Sequence, residues 1–126
     1  MNREFSTPNA PAPLGHYSQG VKQAGSTQVS MQFPMDPATG KLVEGGIREQ
    51  TAQALKNCEA VMKEAFLGLH VIVKTNVYLK NLSDFEAFNE VYKTFFPEIK
   101  PAMTVIPVSD LLVKDALLMV DMVACK

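Results

Sequence analysis

The alternation of apolar and polar residues divides this chain into short strands and two helices, and its most apolar stretch is residues 116–125. That stretch, Ala-Leu-Leu-Met-Val-Asp-Met-Val-Ala-Cys, is apolar at both parities and is broken once, by Asp121. Such a run predicts a central strand covered on both faces. Side chains alternate with period two along a strand, so Asp121 shares a wall with Leu117, Met119, Val123 and Cys125. An unpaired ion on a buried wall is costly. Asp121 must therefore find a hydrogen-bonding partner, become protonated, or face a wet cleft or a subunit seam.

Upstream, Pro8, Pro11 and Pro13 predict an extended, unpaired arm within residues 1–14. Residues 17–24 and 27–33 predict a hairpin turned by Ala24-Gly25-Ser26, and Asp36-Pro37-Ala38-Thr39-Gly40 predicts a second turn. Leu55, Cys58, Met62, Ala65 and Phe66 recur at helical spacing, giving an amphipathic helix from Ile47 to about Phe66, with Gly68 as its stop. Residues 71–80 alternate, with Val71, Val73, Thr75, Val77 and Leu79 on one face and Lys74, Asn76, Tyr78 and Lys80 on the other. Ser83 with Glu86 predicts a capping box for a second helix, whose stripe of Phe85, Phe88, Val91, Tyr92, Phe95 and Phe96 predicts core packing. Residues 102–109 predict a further strand, at an edge or bulge because Pro107 lacks an N–H. The order β-β-α-β-α-β-β predicts a single α+β domain over residues 1–126, a mixed sheet with both helices on one face. The other face then needs a cover, and for so short a chain the simplest is another copy of itself.

Composition narrows the function classes. With 47% hydrophobic and 20% charged residues and a net charge of −1, the chain is that of a folded protein without the basic field of a nucleic-acid binder. No apolar run reaches the ~18 residues needed to cross a bilayer. The first residues carry no apolar secretory segment, so a cytoplasmic location is expected. Cys58 and Cys125 have no metal-binding spacing, and His16 and His70 stand apart, so neither a metal nor another cofactor is expected.

Four segments, in this order, carry a resemblance. They are Ala12-Pro13-Leu14-Gly15-His16-Tyr17-Ser18-Gln19-Gly20; Asp36-Pro37-Ala38-Thr39-Gly40 with Leu42-Val43-Glu44-Gly45; Val73-Lys74-Thr75-Asn76-Val77-Tyr78-Leu79; and the helix Asp84-Phe85 through Phe88-Asn89, Tyr92 and Phe95-Phe96. Together they resemble the RidA family, also called YjgF or L-PSP, from about residue 8 to the end. The resemblance implies a chorismate-mutase-like (RidA-type) α+β subunit, assembled as a homotrimer whose sheets line a central barrel. It also implies small-molecule pockets between subunits, where enamine and imine intermediates are hydrolysed to 2-oxo acids and ammonia without a metal or organic cofactor.

Carried over residue by residue, the resemblance implies a pocket role for Tyr17, Ser30, Gln32, Asn89 and the backbone of Val105, with Asp121 at the position of a water-orienting glutamate. Three positions depart from the family pattern. Met103, in Pro101-Ala102-Met103-Thr104, stands where an arginine is expected to clamp the substrate carboxylate. Met31 replaces a glycine between Ser30 and Gln32, and the segment Leu111-Leu112-Val113-Lys114-Asp115-Ala116 lacks the family's proline and is one residue longer. Two functions stay open: a 2-iminobutanoate/2-iminopropanoate-type deaminase whose turnover is weak or absent because Met103 replaces the arginine, or a non-catalytic trimeric ligand-binding or regulatory protein. Met31 and Met103 would either seal the cleft or change its ligand.

Overall fold

The computed structural model describes residues 3–126. In chain order the elements are β1 (Arg3–Phe5), β2 (Gly20–Gln23), β3 (Ser26–Gln32), a small hairpin of β4 (Met35–Asp36) and β5 (Lys41–Leu42), α1 (Ile47–Glu64), β6 (Ile72–Leu79), α2 (Phe85–Phe95), β7 (Ala102–Pro107) and β8 (Leu118–Cys125). Six strands form one mixed sheet in the order β1-β2-β3-β8-β6-β7. Only β6 and β7 pair in parallel; the other neighbours are antiparallel. Because β8 runs opposite to both β3 and β6, the strands β3, β6 and β7 all point the same way. The crossovers through α1 and α2 also step in the same direction across the sheet. With the usual right-handed crossover, both helices then fall on one face.

That face holds the core. Leu118, Val120, Met122 and Ala124 of β8 meet Leu55, Cys58, Val61 and Met62 of α1 and Phe88 and Tyr92 of α2, all essentially inaccessible to water. Each fully buried Leu, Val, Met or Phe side chain among them is worth about 1.5–3 kcal/mol. The rings of Phe88, Tyr92 and Phe96 lie with successive centroids 5.4 and 4.6 Å apart, so the aromatic stripe is core as its spacing predicted. No helix among the described residues is long and apolar enough to cross a membrane.

Several local features differ from the sequence pattern, each for a physical reason. The arm is not wholly unpaired: β1 pairs with β2, and the Phe5 ring sits where a Cβ on Gly20 would be, 2.3 Å from its nearest atom. Beyond β1, Gln19 pins the proline segment. Its Oε1 accepts from the Thr7 N–H at 2.7 Å, and its Nε2 donates to the carbonyls of Thr7, Ala10 and Pro11. Met1 and Asn2 of the arm lie outside the described residues. The predicted hairpin turn is built by Ala24 and Gly25, both at positive φ (49° and 82°), the two-residue geometry that matches strand twist. The second helix opens from a 3-10 turn (Leu82–Asp84) without a capping bond from Ser83. The first helix instead uses the glutamate half of a capping box, with the Gly46 N–H donating to Glu49 Oε1 at 2.8 Å. In β6, Val73 is an extra, exposed residue in a bulge, so Ile72 rather than Val71 or Val73 begins the buried face. Burial on β8 is one-sided: its even positions are buried, Met119, Asp121 and Val123 are half-buried and Cys125 is exposed, because no element among the described residues covers the second face.

Polar side chains of α1 fasten the loops that carry the sheet ends. Asn57, 1% exposed, donates to the carbonyls of Phe33 and Met35, both at 2.9 Å. Gln50 accepts from the Leu117 N–H at 2.7 Å and so sets the entry of β8. The stop of α1 is also not glycine. The chain leaves the helix through Phe66 at φ 60°, with Leu67 N–H bonded to the Met62 carbonyl and Phe66 N–H to that of Lys63. This is the double bond pattern of a left-handed helix cap, a conformation that costs a non-glycine residue about 1 kcal/mol or more. The Phe66 ring is 95% exposed and offsets none of that cost by packing. Phe66→Gly is therefore expected to raise unfolding stability by about 0.5 kcal/mol after glycine's own entropy is subtracted, a midpoint shift of about 2 °C. Thermal melts of the two proteins check this, and a lowered midpoint would show that the ring is buried against another surface.

Candidate functional site

Strand register arranges the open face of the sheet in rows. Val21, Gln28, Val123, Lys74 and Ala102 form one row across β2, β3, β8, β6 and β7, and Met119, Tyr78 and Ile106 form another across β8, β6 and β7. Between them lies a polar row: Asp121 of β8 opposite Asn76 of β6, which is opposite Thr104 of β7. On the other side of Asp121 the register of β3 slips by one residue between Val29 and Gln32, so Ser30 and Met31 together oppose Asp121. A bulge of this kind re-aims side chains. Here it brings both residues to a cleft of about 510 Å³ on the open face.

Tyr17, Gln28, Ser30, Met31, Tyr78, Met119 and Asp121 line the cleft, with Val29 and Met122 at its floor, and Asp121 is the one charged residue among them. Its environment explains how a strand carries a carboxylate here. Asn76 Nδ2 donates to Asp121 Oδ1 at 2.8 Å, and the half-buried side chain lines the cleft. The Tyr78 phenol faces the same group: burial first, then the Asp121 charge and a hydrogen bond to it, push the Tyr78 pKa above the ordinary phenol range. Beneath the sheet, burial followed by the Asp121 charge pushes the Cys58 thiol far above its ordinary range, which leaves it an unreactive packing group.

The cleft walls are held by main-chain contacts. Tyr17 Oη accepts from the Leu14 N–H at 2.9 Å, which ties the ring to the arm, and Ser30 Oγ donates to the Ser18 carbonyl at 2.6 Å. The arm is in turn fixed by Gln19. Among the described residues, no three side chains of His, Cys, Asp or Glu converge as a metal site.

The site residues expected from sequence fall into two groups. Tyr17, Ser30, Met31 and Asp121 meet in the cleft. Gln32, Asn89, Met103 and Val105 do not. Gln32 is opposite Val120 and buried, with its amide donating to the Ser30 carbonyl at 3.1 Å. Met103 pairs with Thr75 and Val105 with Val77, which puts both on the helix side of the sheet, packed against the main core. Asn89 is exposed on α2. In one chain, Met103 and Asp121 are thus two strands apart and on opposite faces. Sequence reasoning missed Gln28, Tyr78 and Met119 as lining residues. Tyr78 was visible as a polar-face residue of β6 and Met119 as sharing the Asp121 wall, whereas placing Gln28 requires the register.

A six-stranded mixed sheet, two helices on one face and a bulge-built acidic cleft on the other define a class of small α+β subunits with an exposed sheet face. The Endoribonuclease L-PSP family matches residues 7–126, and the chain belongs to that family. It is 41% identical to a RutC family protein of Pyrococcus horikoshii over 126 residues, covering 100% of this chain and 99% of the relative. It is also 41% identical to the 2-iminobutanoate/2-iminopropanoate deaminase of Mus musculus over 102 residues, 81% of this chain and 76% of the mouse protein. Among solved structures, a protein of the conserved Rid family from Yersinia pestis superposes with a TM-score of 0.95 at 36% identity, covering 100% of both chains.

The Tyr78–Asp121 contact is directly measurable. A phenol whose pKa is raised on folding keeps its proton where the unfolded chain loses it. It therefore leaves stability unchanged below the ordinary phenol range and lowers it as pH rises through that range. Asp121→Asn removes two of the three causes of the shift, so Tyr78 is expected to ionise at lower pH in that variant. Absorbance titration near the tyrosinate band, compared between the two proteins, checks this; superimposable curves would show that the two groups do not interact.

Proposed function

We propose that this chain is a RidA-type protein whose small-molecule pocket is completed between the subunits of a homotrimer, and that it hydrolyses enamine and imine acids weakly or not at all. The supporting observation is the division of the site: Asp121, Tyr17, Ser30 and Met31 line a cleft on the open face, while Met103 and Val105 lie on the edge strand β7, on the opposite side of the sheet. Only a second copy, presenting its β7 edge and Asn89 to this cleft, brings the two groups together. The uncovered face of β8, with Met119 and Val123 half-buried beside Asp121, favours such a neighbour.

The chemistry follows from the residues in the cleft. Imine hydrolysis adds water to the C=N carbon, transfers a proton to nitrogen and expels ammonia from the tetrahedral carbinolamine. Asp121, held by Asn76, accepts a hydrogen bond from the attacking water and orients it. Tyr17 and Ser30 supply further polar contacts. A substrate carboxylate finds no partner, because Met103 replaces the arginine expected of deaminating relatives. The loss of a positioning contact costs about 100-fold in rate. The second reading, a non-catalytic ligand-binding protein, is favoured by Met31 and Met119, whose flexible thioethers fill part of the cleft. Both readings include a cytoplasmic location, supported by the free thiols of Cys58 and Cys125.

Light scattering is expected to give a trimer mass, and a monomer at micromolar concentration would overturn the shared pocket. Ammonia release from 2-aminoacrylate generated in the assay is expected to be slower by about 100-fold or more than that of an arginine-containing relative. Met103→Arg should raise it, with Met31→Gly needed alongside for full recovery. Wild-type turnover equal to the relative's would show that another group clamps the carboxylate.

A further inference from the structure

We infer that the Asp121 cleft selects a small organic cation, an ammonium or protonated imine without a carboxylate, rather than a 2-imino acid. The inference rests on the proposed pocket and names its ligand class. Four features of the cleft point the same way. Among the described residues its one charged lining group is a carboxylate, to which the neutral Asn76 amide donates at 2.8 Å without cancelling its charge. The Ser30 hydroxyl proton is committed to the Ser18 carbonyl, so that oxygen offers the cleft lone pairs, which suit an N–H⁺ donor and not an anion. Tyr17, Tyr78, Met31 and Met119 supply aromatic and polarisable surface of the kind that organic cations favour. Lys74, on the same face, is turned to the other side of Asn76, where its Nζ donates to Thr104 Oγ1 at 2.6 Å.

The residues proposed above to come from a second copy, Met103, Val105 and Asn89, are all neutral. An acid entering the cleft would place its carboxylate near Asp121 with no cation among the lining residues of this chain to separate the like charges. An ammonium or iminium would meet an unneutralised carboxylate, and in the protonated imine that charge also activates the C=N carbon toward water.

The test uses the full chain and three probes matched in size: n-butylammonium, n-butanol and butanoate, with binding followed by calorimetry or by chemical shifts. Butylammonium is expected to bind more tightly than butanoate by about tenfold or more, with butanol between them. Asp121→Asn should abolish the preference, and Asp121→Glu, which keeps the charge, should retain it, so a general folding defect cannot imitate the result. Equal or tighter binding of butanoate, a preference that survives Asp121→Asn, or no binding of any probe overturns the inference. The outcomes separate it from the proposed reaction. A butylammonium preference in a protein that hydrolyses no imine, even as Met103→Arg/Met31→Gly, sinks the deaminase reading alone. Slow 2-aminoacrylate hydrolysis that rises in Met103→Arg/Met31→Gly, in a protein without that preference, sinks the cation selection alone.

Discussion

Because β3, β6 and β7 run in the same direction and follow one another across the sheet in one sense, α1 and α2 must lie on the same face. Much else in the structure depends on that constraint. It gathers the apolar stripes of both helices over the even positions of β8 and gives one core. It also leaves the odd positions of β8 and the polar face of β6 without a cover from this chain. A carboxylate in the central strand is tolerable only on that uncovered side, where water reaches it and Asn76 bonds it.

Two irregularities turn the uncovered side into a site. The bulge at Ser30 and Met31 doubles the side chains opposite Asp121, and the bulge at Val73 resets β6 so that Asn76 and Tyr78, rather than their neighbours, share the Asp121 face. Neither bulge is a defect in the core, since Val29, Gln32, Thr75 and Val77 remain buried on the helix side. The arm completes the wall. Four hydrogen bonds to Gln19 fix its course, and the Leu14 N–H then fixes the Tyr17 hydroxyl at the cleft.

Family membership and local electrostatics bear on different parts of the function. Membership accounts for the fold over nearly the whole chain and links it to relatives that include imine deaminases. The charge in the cleft is a property of this sequence. An aspartate bonded by one neutral amide, beside two thioethers and with no cation among the lining residues of this chain, gives the cleft its negative character.

The sequence alone determined the elements whose signal is periodic: both helices, the final apolar strand as the centre of the sheet, Pro107 at an edge, and the Ala24-Gly25 turn. Its motifs also sufficed to identify the family. Which face Asp121 occupied was not legible, because alternation shows which residues share a face but not whether a helix covers it. Nor were the two bulges, since an extra residue in one strand exists only relative to its partner's register. Gln19 reads as an ordinary polar residue until four main-chain groups converge on it. Met103 and Asp121, paired by motif in one line of sequence, proved to lie on opposite faces. Parity along separate strands carries no common origin, and only tertiary hydrogen bonding between strands supplies one.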